Sequence, residues 1–258
     1  MAEIPNLAGV VTKDLIETIG SGKFTASYVN WSRTLQLLRI NAPGWMSDTV
    51  PAADGSLIHR TPVGGHLLIR FVHVDDSIIS DCSMTGSGMY LYNSNNNEIS
   101  NNAIASHTSG YGILVQDSDM NLIKDNDISS NYEGIHLSDE SENNDVLNNH
   151  LSDNRAGIYL WYSKNNVFES NEITENIHGV KLQMSSNDNV FRFNDIFDNS
   201  VGAYLSQSRS SFEYNNIYSN ENYNAEVYTY DATGNNNWWG TISRDDIDEK
   251  IKDCNDYE

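Results

Sequence analysis

Basic residues, cysteine and proline are all scarce in this chain, and so are long apolar runs. Lys and Arg number 15 against 36 Asp and Glu, a net charge of -21 over 258 residues. Nucleic acids and anionic membrane surfaces are bound through Lys/Arg footprints, so the charge argues against both. It also counts, less strongly, against a polyanionic polysaccharide. No apolar run approaches the roughly 18–20 residues of a membrane span. The first residues, Met-Ala-Glu-Ile-Pro-Asn, lack the basic region and apolar stretch of a signal peptide. Either the chain stays in the cytoplasm or a leader precedes it. Apolar residues make up 38% of the chain, little for a compact globule but enough for a fold in which each layer needs few inward side chains.

What is present in quantity is asparagine, 34 in all, and it is not scattered. A phrase recurs with a period of 21 to 24 residues: Gly-apolar-x-Leu, a polar turn, Asn-x-apolar-x-x-Asn-x-Ile, then Ser/Asp-Asn. Copies start at Gly88, Gly112, Gly134, Gly157, Gly179 and Gly202, with a weaker one at Asn224. Such a period, built of short β-like runs with no helical stretch, is the signature of a solenoid. Stacking the copies gives four apolar columns. They are Met89/Ile113/Ile135/Ile158/Val180/Ala203/Ala225, Leu91/Val115/Leu137/Leu160/Leu182/Leu205/Val227, Ile99/Ile123/Val146/Phe168/Phe191/Phe212, and Ile104/Ile128/Leu151/Ile173/Ile196/Ile217. The first two lie two residues apart, which is strand alternation. The expected fold is all-β: a parallel β-helix of about eight coils, each about 4.8 Å thick, whose right hand is implied by the resemblance given below.

Asparagine fills three further columns: Asn97/Asn121/Asn144/Asn166/Asn189, Asn102/Asn126/Asn149/Asn171/Asn194/Asn215 and Asn131/Asn154/Asn176/Asn199/Asn220. Asn tolerates left-handed backbone, and its amide can bond both its own turn and the next coil, so these columns read as structural corners. Cys82 replaces Asn in a degenerate first copy and reads as a buried free thiol. Cys254 is 172 positions away near the other end of the solenoid, which argues against a disulfide. Three parts follow: an N-terminal cap region over 1–62, repeats over 63–241, and a C-terminal capping helix and tail over 242–258. In the first part Asp14 to Ile19 reads as a short helix, and Ala42–Trp45 and Val50–Gly55 as loops. In the last, Ser243 is the expected N-cap, Ile247 and Ile251 share a helical face, and the helix with Trp238 and Trp239 plugs the final coil.

The runs Gly134-Ile-His-Leu-Ser138, Asn166-Val-Phe-Glu-Ser-Asn-Glu-Ile173 and Asn237-Trp-Trp-Gly-Thr241 resemble the NosD-like family of right-handed parallel β-helix repeat proteins. The resemblance covers about residues 66–245. It implies the fold and, since such proteins are usually exported, an extracellular or cell-surface location. It implies little about activity, because the same repeats serve carbohydrate-binding and sugar-hydrolase-type domains, surface proteins and a copper-maturation factor.

Alternation also marks what faces out. Between the inward residues of the first strand lie Tyr90, Leu114, His136, Tyr159, Lys181, Tyr204 and Glu226. Beside them lie Tyr92, Gln116, Ser138, Trp161, Gln183, Ser206 and Tyr228. The expected ligand-binding residues are Tyr90, Tyr92, His136, Tyr159, Trp161, Lys181 and Tyr204, an exposed strip of rings that stack on sugars and of groups that bond hydroxyls. On the third strand Asp127, Glu172 and Asp195 form an acidic column, with Ala103, His150 and Asn216 in the other coils. Carboxylates there could serve a glycosidase or hold Ca²⁺, though a solvated face explains them as well. His59, His66 and His73 recur every seven residues without a Cys-x-x-Cys or Met/His cluster, so no metal site or other cofactor is expected.

The catalytic runs of β-helix enzymes are missing. Pectin-type hydrolases resemble one another through Asn-Thr-Asp, Asp-Asp, Gly-His-Gly and Arg-Ile-Lys, of which only Asp-Asp occurs, at Asp75-Asp76 and Asp245-Asp246. The Asp-Pro-His-Asp run of alginate epimerases and the Gly-Gly-x-Gly-x-Asp calcium repeat are absent. The leading expectation is therefore a monomeric, non-catalytic surface or secreted β-helix that binds a polysaccharide, surface glycan or protein. The alternatives are a polysaccharide-active hydrolase or lyase, and a surface-layer spacer or copper-maturation accessory protein.

Overall fold

Apolar side chains two residues apart, repeated every coil, can be buried only if successive coils stack with those positions in line. The computed structural model shows that arrangement. It describes residues 75–80, 83–86, 88–229 and 232–253, and before them the backbone of the strands Thr25–Ser27, Thr49–Pro51, Leu57–Val63 and His66–Val72. The expected helix at 14–19, the loop at 42–45, Cys82 and Cys254 lie outside the described residues.

The chain is a parallel β-helix of about 8 coils with three strands per coil. The long sheet contains Gly88–Tyr92, Tyr111–Gln116, Glu133–Ser138, Ala156–Trp161, His178–Gln183, Val201–Ser206 and Tyr223–Tyr228 in parallel register. The second sheet stacks the strands that carry Ile99 to Phe212, and the third those that carry Ile104 to Ile217. All four apolar columns are inward; every member is buried except Val227, which packs partly buried at the end of the core. Phe168, Phe191 and Phe212 stack nearly parallel, with centroids 4.4 and 4.5 Å apart.

The three asparagine columns are buried and chain the coils together. The Oδ1 of Asn171 accepts from the backbone N–H of Asn149 at 2.9 Å and from its Nδ2 at 3.1 Å, while the Nδ2 of Asn171 donates to the carbonyl of Val146 at 2.9 Å. The same pattern repeats along each ladder, and the second extends one rung further than its sequence column, to Asn237. A fourth ladder, of Ser94, Ser118, Ser141, Ser163, Ser186 and Ser208, is buried at the first corner; Ser118 Oγ accepts from Ser94 N–H at 2.9 Å. The left-handed conformation expected of the ladder asparagines belongs instead to the residue just before each. Asn148, Ser170 and Phe193, with φ of 53°, 57° and 57°, precede Asn149, Asn171 and Asn194. That residue turns the corner, which leaves the following amide pointing along the stack.

Glycine lies at the start of the long strands, up to the one that begins at Val201, because of close approach. A Cβ on Gly134 would meet the carbonyl oxygen of Gly157 at 2.5 Å and the Asn154 amide at 3.2 Å, and the same contacts recur at Gly157 and Gly179. Glycine and ladder asparagine therefore form one packed corner.

The ends depart from expectation. Val50 and Pro51 belong to a strand, Thr49–Pro51, and Leu57–Val63 pairs antiparallel with both it and His66–Val72. At the C-terminus, helix α1 spans Arg244–Lys250, with Ser243 accepting from Asp246 N–H as its N-cap. None of its residues is buried, and it lies against the last coil through Lys250, whose Nζ donates to the carbonyls of Asn220 and Glu221 at 3.1 and 2.8 Å. Ile251 is extended, ends the helix and adds a short strand beside Ala225. Trp239 packs against the core while Trp238 is 45% exposed, and a cavity of about 320 Å³ lined by Phe212, Ile217, Val227, Trp239 and Ile251 remains at that end. Filling a coil with one ring and one strand residue leaves space that a buried helix would have closed.

Asn171→Leu removes four hydrogen bonds at a buried site and leaves the Asn149 donors without their acceptor. It should cost about 1–3 kcal/mol, read by urea unfolding. Unchanged stability would mean the ladders are not holding the coils.

Candidate functional site

The outward face of the long sheet is where unlike side chains meet. His136 lies between Tyr111, at 5.1 Å edge-on, and Tyr159, at 4.6 Å between ring centroids. Glu133 Oε2 is 2.6 Å from His136 Nδ1, ion-pair distance without the alignment of a hydrogen bond. His136 Nε2 has no hydrogen-bond partner among the described residues, and both Glu133 and His136 are 8% exposed. Burying a carboxylate against an imidazole is costly unless each stabilises the other, so this pair is the least passive feature of the face.

Around it, Tyr159 donates to Gln183 Oε1 at 2.9 Å and meets Trp161 edge-on at 6.2 Å. Lys181 Nζ sits over the Tyr159 ring at 5.1 Å and over Tyr204 at 6.0 Å, and Tyr204 meets His178 edge-on. The exposed Arg155 lies over the Tyr132 ring at 4.8 Å. Burial, with the Glu133 and Tyr111 charges, pushes the Tyr159 phenol far above its ordinary range, and burial with Glu133 raises Tyr111. Both stay protonated donors. Burial, then Arg155, lowers the proton affinity of Lys181, with Glu133 opposing. Burial, then Lys181, lowers that of His178.

Of the seven residues expected from sequence, His136, Tyr159, Trp161, Lys181 and Tyr204 fall in one continuous group. Tyr90 and Tyr92 pair with each other at 6.3 Å near the other end, where the Tyr90 hydroxyl bonds Gln116. The face is less open than expected: Tyr159 is 8% exposed, because the rings and the Lys181 chain cover one another. Glu133, Tyr111 and His178 were not anticipated. They occupy the position before the repeat glycine, in register with one another (Tyr111↔Glu133, Glu133↔Ala156, Ala156↔His178). Counting back by twos from Ile135 makes Glu133 inward, but the tight corner at Gly134 breaks the alternation and turns it out.

The acidic column on the third sheet is real as a register, Asp127↔His150↔Glu172↔Asp195. His150 Nδ1 is 3.1 Å from Asp127 and Nε2 3.7 Å from Glu172, all exposed. Among the described residues no group of three His, Cys, Asp or Glu could hold a metal ion. Register places His59 opposite Arg70 and His66 opposite Val63, four residues apart on the hairpin, and His73 lies outside the described residues. No helix among the described residues is long and apolar enough to cross a membrane.

Residues 54–250 match the family model described as "Periplasmic copper-binding protein (NosD)". Among solved structures, the periplasmic alginate epimerase AlgG is similar, with 17% identity and a TM-score of 0.61 over 67% of this chain. A double mutant of AlgG gives 18% identity, the same TM-score and the same coverage of this chain. In both cases the chain spans 47% of the AlgG chain it matches, so the likeness is one of fold. No curated protein matches the chain in sequence. Copper favours converging soft and imidazole ligands, and no three His, Cys, Asp or Glu among the described residues converge, so these residues do not fit the metal in the family's description.

Lowered proton affinity at Lys181 means more free amine at a given pH. Its acetylation, mapped by peptide mass spectrometry against pH, should reach half-rate below the midpoint of a lysine in an unstructured peptide. A midpoint at or above that of the peptide would show that burial by Tyr159 and Tyr204 does not govern the amine.

Proposed function

The chain belongs to the NosD family, and we propose that it is an exported polysaccharide-binding β-helix whose central site takes an acidic sugar unit and exchanges a proton with it. The observation that carries this reading is the buried Glu133–His136 pair, with His136 Nε2 buried between two tyrosines and without a hydrogen-bond partner among the described residues. Support for the export comes from the family's periplasmic description, and for the substrate class from AlgG, an alginate epimerase of similar fold.

The net charge of -21 opposes a polyanion only at long range. At physiological salt the Debye length is about 8 Å, so distant carboxylates are screened while Lys181 and Arg155 act locally. The sugar carboxylate would lie toward these cations, and its ring would stack on Trp161. His136 accepts a proton from the carbon beside that carboxylate, and Glu133 stabilises the imidazolium that forms. Tyr111 or Tyr159, kept protonated, can return a proton to the sugar. This departs from the non-catalytic expectation because the pair lies within a ring cluster rather than alone on a solvated strand.

In D₂O, wild-type protein with a polyuronate should introduce deuterium at the carbon next to the carboxylate, seen by NMR. Glu133→Gln and His136→Asn should lower that rate at least about a hundredfold with binding retained in affinity electrophoresis. Trp161→Ala should weaken binding about tenfold, a loss of about 1.4 kcal/mol. Binding without exchange in the wild type would remove the proton-transfer step and leave the binding face. Absence of binding to any polyuronate would end the reading.

A further inference from the structure

The cations of this chain divide into two groups by what holds them. Among those whose side chains are placed, Lys124, Arg192, Arg209 and Lys252 are ion-paired with Glu98, Glu169, Asp188 and Glu226. Lys250 holds backbone carbonyls at the end of the solenoid, and Arg244 lies on the terminal helix. Arg155, Lys181 and Lys164 have no carboxylate within ion-pair distance among the described residues. Each is seated over tyrosine instead: Arg155 on Tyr132, Lys181 on Tyr159 and Tyr204, and Lys164 on Tyr162 at 5.5 Å. A ring orients a cation without neutralising it, so all three keep their charge for an anion. With 36 acidic residues against 15 basic, three cations left without a carboxylate on two adjacent coils are the exception on this surface.

They lie across the long sheet rather than along it. Arg155 stands at the corner where the chain enters strand Ala156–Trp161, Lys164 at the corner where it leaves, and Lys181 in mid-sheet on the next coil, opposite Tyr159. The strand separates the two corners by about 20 Å. No such row runs along the axis: toward one end the outward positions are Leu114, Tyr90, Gln116 and Tyr92, and toward the other the next cation is Lys252, held by Glu226. The corner that carries Lys164 also changes character at this coil. Its left-handed position reads Asn93, Asp117, Asp139, Tyr162, Met184 and Gln207, all with φ from 47° to 54°. The position after its buried serine reads Asn95, Asp119, Glu142, Lys164, Asn187 and Arg209. Carboxylates fill both positions on the two coils before Tyr162 and neither from Tyr162 on. They crowd one another, since burial and then Asp139, Glu140 and Asp119 raise the proton affinity of Asp117. Tyr162 is costly in a conformation that suits Asn and Asp, and at 41% exposure burial does not offset the cost.

We propose that Tyr162 and Lys164 form a further subsite of the polyuronate face, so that the polymer crosses the solenoid at right angles to its axis, from Arg155 over Lys181 and Trp161 to Lys164. The three cations meet carboxylates of separate sugar units, and Trp161 with Tyr162 offers apolar surface to the rings between those charges. The acidic corner supplies the opposite guide. Asp139 and Glu142 lie one strand spacing from Tyr162 and Lys164, about 5 Å and inside the screening length of about 8 Å, so they repel a polyanion that drifts along the axis toward them. The inference rests on the polyuronate binding proposed above and not on the proton transfer at His136.

Isothermal titration with a uronate trimer and a uronate octamer tests the path. The wild type should bind the octamer at least about tenfold more tightly than the trimer, because only the octamer spans the strand. Lys164→Gln and Tyr162→Asn should each remove most of that gain; the second installs the residue that the same corner carries at Asn93, so its melting temperature should not fall. Lys124→Gln, at a cation paired on the second sheet, should leave octamer binding unchanged. Equal affinity for trimer and octamer, or octamer binding untouched by Lys164→Gln, would overturn the crossing path while polyuronate binding stands. A loss with Lys252→Gln and none with Lys164→Gln would lay the polymer along the axis and overturn it too. A lower melting temperature in Tyr162→Asn would make the ring structural and remove it from the subsite. Failure of the wild type to bind either oligomer would end the polyuronate reading and this path with it.

Discussion

A single amide oxygen accepting two hydrogen bonds from the coil before it is the interaction on which this molecule rests. Asn121, Asn144, Asn166 and their counterparts at the other corners are buried, and each bonds the preceding coil through its oxygen and a backbone carbonyl through its Nδ2. Left unpaired, each buried group would cost about 1–3 kcal/mol. A slip of one residue would break every rung at once and turn the apolar columns outward. The ladders therefore fix register far more tightly than the few inward side chains of each coil would. With register fixed, residues some 22 positions apart in sequence come to lie one strand spacing apart, and that alone assembles Glu133, His136, Tyr159 and Lys181.

Because the scaffold is held from within, its outer faces are free to differ. The long sheet gathers rings with Lys181 and Arg155, the third sheet carboxylates and, in its last coils, rings without a free cation. Composition alone conceals this. An overall charge of -21 describes the average surface, yet screening over about 8 Å lets two cations set the character of one face.

The columns Ile99 to Phe212 and Ile104 to Ile217, the asparagine ladders and the strand order were legible because identical environments recur and each recurrence repeats the same residue type. The site was legible only in part. His136, Tyr159, Trp161, Lys181 and Tyr204 follow from alternation within a strand. Glu133 does not, since its direction depends on the backbone contact between Gly134 and Gly157, which joins different coils. Tyr159 looked exposed for a related reason: alternation tells which way a side chain leaves the sheet, not whether Lys181 and His136 then cover it. Ile251 read as helical by its spacing from Ile247, but pairing with Ala225 outweighed one more helical turn.

The same geometry bears on the family's copper. In a stacked fold, ligands converge when one column carries donors in neighbouring coils, as the ladders do with amides. The described residues whose side chains are placed include four histidines, and no column repeats one. His136 is followed by Tyr159, His150 by Glu172, and His178 is flanked by Ala156 and Val201. His107 heads an asparagine ladder, its N–H donating to Asn131 Oδ1 at 3.0 Å. Membership of a repeat family transmits the positions that hold coils together, because those recur in every copy and fail together. Ligands occupy positions that the ladders leave unconstrained, and each coil can exchange them singly.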